Sequence, residues 1–165
     1  MCPPVSSSAG IFCEAAGSNV QESDAIVRVR GWLVVVFVLS AIATAVELVL
    51  LEHTETFWQQ LPLFALIGGT LVMLGAAMRT NRRTLRTLQL VMIAFIAAGV
   101  YGTWLHYRGN VEFELEMSPA LKGWELFRKA MMGATPALAP GSMGQLGLIG
   151  WLYTYRHPVL RKDRT

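Results

Sequence analysis

The sequence predicts an all-α integral membrane protein: a four-helix transmembrane bundle with a short extracytoplasmic amphipathic helix. Three observations predict it. The 165 residues are 53% hydrophobic and 15% charged, with a mean hydropathy of +0.44, whereas soluble domains carry about 25% charge. Four stretches approach the ~20 apolar residues a helix needs to cross a bilayer core. The Lys and Arg residues between these stretches fall mostly on one side. Two cysteines exclude a disulfide framework. A net charge of +3, concentrated in the loops, gives no footing for a nucleic-acid partner.

The first span covers 31–51 (GWLVVVFVLSAIATAVELVLL), with Glu47 its only charge. Residues 1–30 are rich in Ser, Gly, Ala and Pro and lack sustained periodicity, so they read as a mobile cytoplasmic tail. The first apolar run begins too late for a cleaved signal peptide and is long enough to be an uncleaved anchor. Cys2 and Cys13 would then face a reducing cytosol as free thiols. The second span, 61–78, opens with Pro62, where a missing N–H costs little. The third covers 88–106. The fourth, 136–155, carries Pro136 and Pro140 and glycines at 141, 144, 147 and 150, so a kinked or re-entrant segment is the alternative there. The inter-span loops complete the 31–155 membrane domain, and 156–165 is a basic cytoplasmic tail.

Orientation follows from the basic residues, which the cytoplasmic side retains. Arg28 and Arg30 precede the first span; Arg79, Arg82, Arg83 and Arg86 join the second to the third; Arg156, Arg161, Lys162 and Arg164 follow the fourth. The first loop has no Lys or Arg, and the third mixes four of them with four glutamates. A multi-pass protein of the cytoplasmic (inner) membrane with both termini cytoplasmic is the expectation. Trp58, Trp104 and Tyr107 would form the outer aromatic belt, and Trp32, Trp151, Tyr153 and Tyr155 the inner one.

The outer loop, 107–135, opens with alternating VEFELEM, which reads as a short strand with Glu112, Glu114 and Glu116 on one side and Phe113 on the other. Ser118-Pro119 then signals a helix start, and Leu121, Trp124, Phe127 and Met131 recur at helical spacing. That helix would lie in the outer interface, as an anchor or as a docking surface presenting Trp124, Phe127 and Phe113.

Candidate chemistry is sparse. Ser40, Thr44 and Glu47 share one face of the first span, and a carboxylate within a span normally faces an interior, a partner or water. With Gln145 they could line a cation or proton path. His53 and His106 lie near the outer boundary with Glu52, Glu112 and Glu114, a chemistry that suits a divalent metal or, with paired imidazoles, haem, although no closely spaced His pair is present. No cofactor is called for otherwise. Small pairs such as Ala41 and Ala45, Ala65 and Gly69, and Ala98 and Gly102 favour tight helix packing. Phosphate-loop, nucleophile-elbow and zinc-protease motifs are absent from the sequence. The favoured expectation is a non-enzymatic accessory or assembly subunit in the lipid bilayer, as a homo-oligomer or within a larger membrane complex. The alternatives are a transport component using Glu47 and a metal or haem redox protein using His53 and His106.

Overall fold

The computed structural model describes residues 7–52, 55–133 and 135–161, with side chains from Asp24 to Leu160 within those ranges. The chain forms α1 (Ser7–Leu50), α2 (Phe57–Met78), α3 (Arg82–Met117), α4 (Gly123–Met131), α5 (Gly141–Thr154) and the single turn α6 (Pro158–Arg161). There is no strand among the described residues. Three helices are long and apolar enough to cross a membrane: Asp24–Leu50 of α1, α2 and α3.

Each start has a local cause. Thr56 caps α2 by accepting from the Gln59 N–H, while the Gln59 side chain accepts from the Thr56 N–H. Asn81 and Thr84 repeat the arrangement at α3. These reciprocal bonds satisfy N–H groups that a helix start leaves without partners. Pro62 sits in the sixth position of α2, early enough that its ring disturbs little of the ladder.

The four long or central helices close into a ring: α1 packs on α2 and α5, and α3 packs on α2 and α5. Phe37 of α1 meets Phe95 of α3 across the centre, with ring centroids 6.4 Å apart. Around them Leu66, Met73, Leu88, Met92 and Leu146 are buried. On α1 the buried stripe is Phe37 and Ala41, flanked by Val34, Ala45 and Leu48, the near-3.5 spacing of a helix facing helical neighbours.

α5 runs antiparallel to α3, and glycines set their separation. A Cβ on Gly99 would stand 2.5 Å from the Gly144 backbone nitrogen, one on Gly102 would meet Pro140 at 2.7 Å, and one on Gly147 would stand 2.7 Å from the Met92 carbonyl oxygen. Gly150 lies against the Met92 side chain. Such approach maximises dispersion contact, the main attraction available where the surroundings are themselves apolar. At the lower end Gln89 Nε2 donates to Thr154 Oγ1 at 3.2 Å. There too the Arg30 guanidinium donates to the carbonyls of Tyr155 and Arg156, each at 3.4 Å. The Arg30 contact sets that residue at the same end of the ring as Arg79, in the α2–α3 connection, and Arg82, Arg83 and Arg86, in the first turns of α3.

Several sequence expectations are corrected. α1 begins at Ser7, so much of the stretch read as an irregular tail continues the first helix. VEFELEM is helical, the last two turns of α3: extending an existing helix needs no new nucleus, and Arg108 to Glu112 forms an i,i+4 pair that only a helix allows. The segment 136–155 is helical only from Gly141, because Pro136 and Pro140 hold the preceding residues in turns. At 14 residues α5 is shorter than a spanning helix. The close approach to α5 uses Gly99 and Gly102, while Ala98 is exposed. Tyr153 is buried against His157 rather than standing in an interfacial belt.

Candidate functional site

α3 is 36 residues long, about 54 Å at 1.5 Å per residue, which exceeds a hydrocarbon core of about 30 Å. Its end beyond His106 therefore projects past the ring, and α4 folds back against it. Asn110 makes the joint. It is 3% exposed, and its Nδ2 donates to the Ala130 carbonyl at 2.8 Å and the Thr135 carbonyl at 2.7 Å. Its Oδ1 accepts from the Thr135 hydroxyl at 2.6 Å and the Thr135 N–H at 3.3 Å. Gly133 provides the room: a Cβ there would meet the Asn110 amide at 2.7 Å. One side chain thus ties the C-terminal end of α4 and the turn that follows it to α3. His106 adds a contact below, with Nδ1 3.2 Å from the Pro136 carbonyl; a carbonyl can only accept, so Nδ1 carries the proton.

α4 turns Ala130 fully inward, with Leu126 beside it half-buried. The spacing of Leu121, Trp124, Phe127 and Met131 marks a different side. Trp124 is 74% exposed and Phe127 41%; their rings stack at 5.3 Å, and Phe127 also meets Tyr107 of α3 at 5.8 Å. Phe113, Met117 and Met132 are exposed on the same hairpin. Charges surround this surface. Arg108 pairs with Glu112 at 2.9 Å and lies over the Trp104 ring, which stacks on Tyr101. Glu125 and Lys129 are 4.0 Å apart. Glu114, Arg128, Lys129 and Met132 line an open groove between α3 and α4.

The other sequence candidates are scattered. Glu47 is exposed one turn from the end of α1, Thr44 is half-buried, and Gln145 is exposed on α5. The ring centre between these helices is filled by Phe37, Phe95 and Met92, so Glu47, Thr44 and Gln145 are not brought together inside it. His53 lies outside the described residues. Glu52 follows α1 with a left-handed φ of 53°. No group of three His, Cys, Asp or Glu side chains is placed to hold a metal ion among the described residues. Glu112 is engaged by Arg108, and Glu114 faces the α4 cations.

Asn110 went unnoticed in the sequence. Its signal is the Gly109-Asn110 pair, two poor helix formers in the middle of a long helix. A polar side chain there is tolerated when it satisfies another segment's backbone. No family model matches this chain, and no curated protein or solved structure shows significant similarity to it.

Proposed function

We propose that this is a four-span protein of the cytoplasmic membrane, with both termini cytoplasmic, acting as an accessory or assembly subunit that holds a membrane partner through its outer α3–α4 hairpin. The observation that carries this reading is the Asn110 clasp combined with the exposed Trp124–Phe127 pair. A simple interfacial anchor needs only an apolar face. A buried amide that bonds the end of a short helix and the turn after it, together with the packing of Ala130 and of Phe127 on Tyr107, restrains how that helix lies on α3, which is what presentation of a defined aromatic surface requires. Aromatic side chains offer large, rigid contact area and dominate protein interfaces.

The fourth span is supported by how α5 lies on α3. Segment 136–154 runs from the level of His106 to the level of Gln89, a rise of about 25 Å. Its turns at 136–140 are covered in part by α3, and non-helical backbone at a membrane boundary needs protein cover. The basic residues at the Arg30 end of the ring fit a cytoplasmic side.

The test is affinity purification after mild solubilisation. Wild-type protein is expected to bring down a stoichiometric membrane partner, and the Trp124→Ala/Phe127→Ala double variant to lose it while its thermal stability is kept. Monodisperse wild-type protein with no such partner would contradict the reading.

A further inference from the structure

The outward side of α5 exposes Gln145, Leu148 and Leu152, spaced three and four apart and so forming one stripe. α5 closes the ring between α1 and α3, and this stripe points away from both. Gly144 abuts Gly99 of α3, seven residues below His106, so Gln145 lies roughly 10 Å beneath the outer boundary. Its side chain forms no hydrogen bond with any described residue. An amide with two donors and an acceptor is therefore directed into hydrocarbon, at a depth its short side chain cannot span to reach water.

Lipid tails carry no hydrogen-bonding group, so the partner for this amide must be protein. We propose that it is a second copy of this chain, with α5 packed on α5 about a twofold axis along the membrane normal and the Gln145 amides bonded to one another. All copies share one orientation in the membrane, so Gln145 of a second copy stands at the same depth in any such pair. An amide is also complementary to itself, as an isologous interface requires. Gly141, one turn above on the same stripe, has no neighbour within 4 Å of where a Cβ would lie, which leaves the two backbones room to approach. This inference rests on the four-span reading, which sets the depth of α5.

The experiment uses the full-length chain carrying Cys2→Ser and Cys13→Ser, reconstituted in phosphatidylcholine/phosphatidylglycerol bilayers. Leu148→Cys is expected to resist a water-soluble maleimide and to form a disulfide-linked dimer on mild oxidation. Adding Gln145→Leu, which removes the hydrogen bonds while keeping an apolar surface, is expected to weaken dimerisation roughly tenfold, two interhelical bonds' worth. A protected Leu148→Cys that stays monomeric, or dimers unaffected by Gln145→Leu, would overturn the inference and leave the four spans standing. Rapid maleimide labelling of Leu148→Cys would overturn the four-span reading, and the dimer with it.

Discussion

The same helix, α3, solves two packing problems in two ways. Along residues 89–102 it meets α5 through Gly99, Gly102, Gly144, Gly147 and Gly150, with one side-chain hydrogen bond, Gln89 to Thr154, at the lower end. Along 107–117 it meets α4 through Asn110, whose amide engages three backbone groups and a hydroxyl. On the four-span proposal, the difference follows from the surroundings. Where lipid tails are as apolar as the side chains, association depends on closeness of fit. Beyond the ring, a nine-residue helix with a narrow inward face buries too little apolar surface to fix its own orientation, and directional bonds do so instead.

The comparison predicts a graded set of effects. Removing the clasp should cost most: Asn110→Ala leaves the Ala130 and Thr135 carbonyls without their donor, two groups at about 1–3 kcal/mol each, or about 2–6 kcal/mol at most. The loss should be confined to the hairpin, with amide exchange accelerated in α4 and unchanged in α5. Equal acceleration in α5 would erase the distinction between the two regions. Gly99→Ala forces a Cβ into Gly144 backbone that cannot move aside, and an overpacking cost of about 1–3 kcal/mol is expected in thermal unfolding. Its control is Gly68→Ala on α2, where the space is open; there the change should range from neutral to about 1 kcal/mol stabilising.

The smallest effect concerns pH. His157 is buried beyond the end of α5, and its Nδ1 accepts from the Val159 N–H at 3.3 Å. Burial, with the positive charge of Arg30 adding to it, holds its pKa below the ordinary 6.5. The folded state therefore binds the proton less readily than the unfolded chain. Its contribution is complete above about pH 6.5 and is lost as pH falls through the lowered folded value. Melting curves from pH 8 to 5 should show that decline, and His157→Gln should flatten it; an unchanged slope would remove His157 as the cause.

The parts of this fold legible in the sequence are those written in long apolar runs. The cores of α1, α2 and α3 were readable because hydropathy alone marks them. VEFELEM misled because its alternation fits a strand as well as it fits a helix in which Glu114 and Leu115 turn toward α4 while Glu112 and Glu116 turn away. The stripe through Trp124 and Phe127 was visible, but which side of α4 meets α3 depends on Asn110 and Ala130, and neither carries a hydropathy signal. Glu47 drew attention as an intramembrane charge, yet its surroundings are set by where α1 sits in the ring, and there it lies on the outside.

The most direct test of the account asks on which side of the membrane two exposed positions lie. In the chain carrying Cys2→Ser and Cys13→Ser, Glu116→Cys at the hairpin tip and Pro158→Cys beyond α5 would each be labelled with an impermeant maleimide in sealed right-side-out and inverted vesicles. Four spans place Glu116→Cys outside and Pro158→Cys inside, so each should react in one preparation only, and not the same one. Labelling of both in the same preparation would show that α5 does not cross and would contradict the account.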